Sequence, residues 1–162
     1  MQEEHSTSNT DLVAGLGVDI VEIERFAGVM ERRPRIIERM FSDGERAYCE
    51  SKARPEIHYA LRFAAKEAVL KMLGTGFAGI RFRDVEIVRN DRGKPIPVLT
   101  GVAAERAAEL GIVEMHVSLS YTHATAVASA VAITAAARPA RDDEATPEEE
   151  LTRTFRELKD AV

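Results

Sequence analysis

Arg62-Phe63-Ala64-Ala65-Lys66-Glu67-Ala68 lies within a segment, roughly Glu56 to Leu73, whose apolar residues recur at helical spacing. Ile57, Ala60, Leu61, Ala64, Ala68 and Met72 form one stripe, so a long helix with one core-facing side is expected. At about 100° per residue, Arg62 and Lys66 are expected to point away from that stripe, with Glu67 and Lys71 on its border. Glu67 and Lys71 stand at (i, i+4) with the acid first, the order that favours a surface ion pair. Two readings stay open on these residues alone. One is an ordinary salt bridge at the edge of the core. The other is an acid that meets a second carboxylate around a metal, while Lys71 meets a phosphate.

On the N-terminal side, Pro55 separates this helix from a shorter one. Ser42-Asp43-Gly44-Glu45 opens that one as a capping box and carries it to about Ser51. Further back, Glu24-Arg25, Glu31-Arg32 and Glu38-Arg39 repeat every seven residues, close to two helical turns, and Pro34 divides the stretch into two short helices. Five arginines against three glutamates between Glu24 and Arg39 make a local basic ridge in an acidic chain. Such a ridge is either a solvated face or a docking surface for an acidic partner. Val13 to Ile23 reads as the first strand, where Gly15 and Gly17 suggest close backbone approach or a bulge and Asp19 interrupts an apolar run.

On the C-terminal side, Gly74 suits the left-handed position that ends the long helix. Phe82 to Val88 alternates as a half-buried strand, Asn90 to Gly93 turns tightly, and Lys94 to Leu99 returns as a strand kept at an edge by its prolines. Gly101 to Leu110 is an amphipathic helix, and Met115 to Tyr121 and Thr125 to Ile133 are two strands joined near Thr122 to Ala124. The expected class is α+β: a small antiparallel-sheet domain packed against a long helix.

At 162 residues, 45% apolar and 30% charged, the chain can bury one sizeable core. Its single cysteine, Cys49, excludes an intrachain disulfide and a cysteine-based zinc site, and fits a reducing, cytoplasmic setting. Residues Met1 to Asp11 lack the basic start and apolar run of a signal peptide, and Ala124 to Ala137 reads as buried strand, not membrane span. A net charge of −5 argues against general nucleic-acid binding. Three parts are expected: a flexible arm over 1–12, one domain over 13–137, and over 138–162 a linker followed by an amphipathic helix. That helix starts at Thr146-Pro147-Glu148-Glu149 and carries Leu151, Phe155, Leu158 and Val162 on one stripe.

Gly17-Val18-Asp19-Ile20-Val21-Glu22-Ile23, Arg62 to Ala68, Gly93-Lys94-Pro95 and His116-Val117-Ser118-Leu119-Ser120 together resemble the holo-acyl-carrier-protein synthase family of phosphopantetheinyl transferases, over roughly Ala14 to Ile133. The resemblance implies transfer of phosphopantetheine from coenzyme A to a serine of an acyl carrier protein, in lipid metabolism such as fatty acid biosynthesis. It also implies a homotrimer with active sites between subunits and a magnesium ion, with no membrane partner. By motif position, Asp19 and Glu67 would hold the metal, with Glu67 and Lys71 catalytic. Arg62, Lys71, Gly93, Lys94, Pro95, Ser118, Ser120 and Tyr121 would contact coenzyme A. Arg25 and Arg32 would meet the acidic helix of the carrier protein. The family commonly has a histidine where Tyr121 stands, and His123, two residues on, shares its face if the strand continues. The alternative reading is a non-catalytic carrier-binding relative that has lost coenzyme A.

Overall fold

In the computed structural model, which describes residues 12–76 and 79–137, the chain runs β1 (Val13–Glu22), α1 (Ile23–Arg32), α2 (Arg35–Met40), α3 (Asp43–Glu50) and α4 (Pro55–Met72). It continues through β2 (Val85–Arg89), β3 (Pro95–Leu99), α5 (Gly101–Glu109), β4 (Ile112–Tyr121) and β5 (Thr125–Thr134). The antiparallel strands β1, β5 and β4 form one sheet in that order, and β2 and β3 form a separate hairpin. The expected α+β class is found.

Small residues set how closely α4 lies on the sheet. The inner face of β5 is Ala126, Ala128, Ala130 and Ala132, and α4 answers with Ala60, Ala64, Ala65 and Ala68, all buried. On β1 the fit is tighter still. A Cβ on Gly17 would stand 1.9 Å from the Ala68 carbonyl oxygen, and one on Gly15 2.0 Å from that of Met72. Close approach is found at both glycines, and a register shift between Val13 and Gly15 is found at Gly15 alone. Alternation then turns Leu16, Val18 and Ile20 outward, where they are 67%, 48% and 65% exposed.

Two expectations fail. Arg62 and Lys66 do not face solvent: they are 4% and 0% exposed. An apolar stripe implies one covered face, but α4 is central, with β1 and β5 against it and also α1, α3 and β2. Lys66 Nζ donates to Glu45 Oε2 at 2.7 Å, to the Val85 carbonyl at 2.6 Å and to the Phe82 carbonyl at 3.1 Å. The strand expected from Phe82 begins only at Val85. Phe82–Asp84 is a single 3-10 turn, because the Asp84 carboxylate accepts the Arg81 backbone N–H at 3.0 Å and caps it. The linker and helix expected over 138–162, and the arm except Leu12, lie outside the described residues.

Candidate active site

Gly17 brings β1 against α4, and two residues later Asp19 points the same way. Lys71 Nζ donates to Asp19 Oδ1 at 2.8 Å and to the Val18 carbonyl at 2.9 Å. The expected helical pair of Glu67 with Lys71 is not among the ion pairs of the described residues; Lys71 reaches across to the strand instead. Glu67 nevertheless senses both groups. Burial raises its pKa first, the Asp19 carboxylate raises it further, and Lys71 opposes them.

Two acids from different elements therefore share one neighbourhood and one lysine. No cluster of three or more His, Cys, Asp or Glu forms among the described residues. A pair of mutually repelling carboxylates suits a hard divalent cation that keeps waters and takes its other oxygens from phosphates. It does not suit zinc, which takes three or four protein ligands.

Glu67 lines a cleft with an aromatic floor. Phe63 stacks on Phe82 at 5.5 Å between ring centroids and leans on Phe26 at 5.1 Å. Arg33, Arg35 and Arg39 stand along one side and Arg81 and Arg83 along another. Arg81 is held by Asp84 at 2.8 Å and Arg83 by Asp43 at 3.3 Å, whereas Arg33, Arg35 and Arg39 form no ion pair among the described residues. Arg25 and Arg32, exposed on α1, do not line this cleft.

A second cleft gathers most of the residues expected to meet coenzyme A: Arg62, Gly93, Lys94, Pro95, Ser118 and Tyr121. Ser120 is exposed on β4 but does not line it. Gly93 is favoured by its backbone, since its φ of +76° is left-handed. Lys94 Nζ lies 3.2 Å from His116 Nδ1, and His116 Nε2 lies 2.7 Å from Glu114 Oε1. The charged lysine is the donor, so His116 Nδ1 accepts and its Nε2–H faces Glu114. His123 sits exposed in the turn and takes no part in the cleft. Imidazoles line the cleft from His58 on α4 and from His116, which the alternation of β4 places on the face of Ser118. That signal was present in the sequence, whereas nothing there pointed to Arg89 or Tyr48.

Arg62 is the most unusual group. It is buried, its guanidinium lies 4.0 Å over the Tyr48 ring, its Nε has no hydrogen-bond partner, and no carboxylate among the described residues pairs with it. The two clefts do not coincide in one chain: Glu67 opens to the first and Arg62 to the second.

A family model described as the 4'-phosphopantetheinyl transferase superfamily matches residues 15–129. The chain belongs to this superfamily. As a phosphopantetheinyl transferase it is 44% identical over 118 residues to the holo-[acyl-carrier-protein] synthase of Caldanaerobacter subterraneus subsp. tengcongensis, covering 73% of this chain and 93% of that one. Solved phosphopantetheinyl transferase structures share its fold. An acyl carrier protein synthase of Plasmodium yoelii with ADP bound superposes with a TM-score of 0.69 at 32% identity, over 76% of this chain and 96% of that one. A holo-(acyl-carrier-protein) synthase of Bacillus anthracis in complex with CoA (3',5'-ADP) gives 0.63 at 31%, over 76% and 98%.

Proposed function

We propose that the chain transfers phosphopantetheine from coenzyme A to a serine of an apo acyl carrier protein, releasing adenosine 3',5'-bisphosphate, with magnesium as the required ion. The observation that carries this reading is Arg62, a buried cation lining a cleft and paired with no carboxylate among the described residues. Burying a charge without a partner is costly, and an anionic ligand offsets that cost. Lys94 and His116 add donors beside it, and the coenzyme-bound relative supports the choice of anion.

In this mechanism Asp19 and Glu67 would hold magnesium, which would supply positive charge to offset the negative charge gained by the leaving phosphate. Lys71 stands at Asp19 and adds a fixed charge to the same side of α4. Arg62 and Lys94 grip the coenzyme at a distance from the reacting phosphorus, which fixes its approach. The carrier serine oxygen bonds to the phosphorus that bears pantetheine and gives its proton to water, while the bond to the bridging oxygen breaks and its electron pair leaves on adenosine 3',5'-bisphosphate.

Because the Glu67 and Arg62 clefts are separate, the proposed site is completed by a second copy, in a homotrimer. The exposed apolar row Leu16, Val18 and Ile20 supports that assembly, since such a patch on a soluble chain marks a contact surface. Carrier docking is proposed at Arg33, Arg35 and Arg39 beside Glu67, with Arg25 and Arg32 on α1. The catalytic domain is proposed to be residues 13–137, and the setting the cytoplasm.

Incubation with apo carrier protein, coenzyme A and magnesium tests the function. A carrier heavier by one phosphopantetheine supports it; binding without modification would favour the non-catalytic relative. Arg35→Glu/Arg39→Glu is expected to raise KM for the carrier about tenfold, with the coenzyme Kd unchanged, since reversed rim charges slow encounter and weaken docking. An unchanged carrier KM would return these arginines to a solvated face.

A further inference from the structure

At the α3 end of the second cleft, one aromatic ring sits among four basic side chains. Arg62 Cζ lies 4.0 Å from the Tyr48 ring centroid, Lys52 Nζ 4.4 Å and Arg89 Cζ 5.4 Å. Arg89 Nη1 also donates to Tyr48 Oη, and the His58 ring meets Tyr48 edge-on at 5.7 Å. Among the described residues none of Lys52, Arg62 and Arg89 pairs with a carboxylate. His58 reports the resulting field. Burial lowers its pKa first, then Arg62, Lys52 and Arg89, with Glu56 opposing.

Three fixed positive charges around one point repel one another, and something must hold them there. A carboxylate at position 48 would do so, but it would neutralise the cluster and compete with an incoming phosphate. An aromatic face attracts cations through its quadrupole while carrying no net charge. The ring therefore gathers the cations and leaves their charge available.

We propose that Tyr48 is the positioning residue of this cleft, its ring holding Lys52, Arg62 and Arg89 together so that the cluster is open to a phosphate of coenzyme A. The proposal rests on the reading that the cleft takes the coenzyme. It goes beyond it in naming an aromatic organiser that touches no reacting atom. The hydroxyl is secondary, because it serves Arg89 alone.

The test compares full-length wild type with Tyr48→Phe, Tyr48→Leu and Arg62→Ala by calorimetric titration of coenzyme A, and with steady-state KM for apo carrier protein. Tyr48→Leu is expected to raise the coenzyme Kd about tenfold and leave the carrier KM unchanged. Tyr48→Phe, which keeps the ring, is expected to stay within about threefold of wild type. A merely structural tyrosine would not split the two substrates in this way. If Tyr48→Leu does not fold, Tyr48→Met, flexible enough to refill the space, takes its place. Wild-type affinity in the variant without the ring, or an equal loss in Tyr48→Phe, overturns the proposal. If Arg62→Ala weakens the coenzyme while Tyr48→Leu does not, the cleft reading stands and the tyrosine role alone falls. Absence of coenzyme binding by the wild type sinks both.

Discussion

Glu67→Ala is expected to remove transfer activity, lowering kcat/KM by at least about a thousandfold, while leaving the melting temperature unchanged or slightly higher. The two halves of that result share one cause. Burial and the nearby Asp19 carboxylate both disfavour the charged form of Glu67, so in the free protein its charge is a burden on the fold. Removing a repelled carboxylate relieves the folded state, as at sites where stability has been given up for function. On the proposed mechanism, the substitution removes half of the two-carboxylate donor set that would hold the metal, and effects of that kind reach roughly a thousandfold in rate. Asp19→Ala should lose activity equally but behave differently in stability. It breaks the 2.8 Å bond to Lys71, whose side chain is about half exposed, so only a small loss is expected. Manganese titration followed by relaxation enhancement gives a readout independent of turnover: both variants should lose the high-affinity ion. Full transfer in both variants, or undiminished ion binding, would defeat the assignment.

The sequence carried the frame of this protein well because its decisive residues act locally or through period. Ser42 and Glu45 do form a capping box, with Glu45 N–H donating to Ser42 Oγ at 3.1 Å and Ser42 N–H to Glu45 Oε2 at 2.9 Å. Gly15 and Gly17 announce a close approach that only tertiary structure can locate, against the Ala68 and Met72 carbonyls. The site was less legible. Periodicity treats a lysine or arginine as a solvent-facing residue, and it has no means of seeing that α3 and β2 close over α4 behind Arg62 and Lys66. Nor does a capping pattern reveal that the glutamate's second oxygen is engaged elsewhere. His116 could have been found from the two-residue period of β4. Tyr48 could not, since its significance comes from cations contributed by α4, β2 and the turn after α3.

Lys66→Met should be the most damaging substitution for stability. Lys66 and Glu45 form a fully buried ion pair, and their other bonds tie four segments together. Glu45 Oε1 accepts the Ile87 N–H at 3.0 Å, while Lys66 holds the Val85 and Phe82 carbonyls, so α3, α4, β2 and the turn at Phe82 meet at one point. Burial pulls the Lys66 pKa down and Glu45 pulls it back up, so each charge depends on the other. Methionine matches the stem of lysine but removes the positive charge opposite the buried Glu45 carboxylate and the Lys66 bonds to the Val85 and Phe82 carbonyls. The expected cost is about 3 to 5 kcal/mol, or a fall in Tm on the order of 10 °C, measured by urea and thermal unfolding. Glu45→Gln should cost less, because the amide still accepts from Ile87. The double variant Glu45→Gln/Lys66→Met should be more stable than Lys66→Met alone, since no lone buried charge remains. Strict additivity of the two single effects would mean that the charges do not depend on each other. A loss below about 1 kcal/mol for Lys66→Met would place the pair with ordinary surface bridges. Phe82, whose carbonyl Lys66 holds, is also the floor of the cleft beside Glu67. Weakening this pair should therefore loosen the wall of the proposed catalytic cleft before it unfolds the domain.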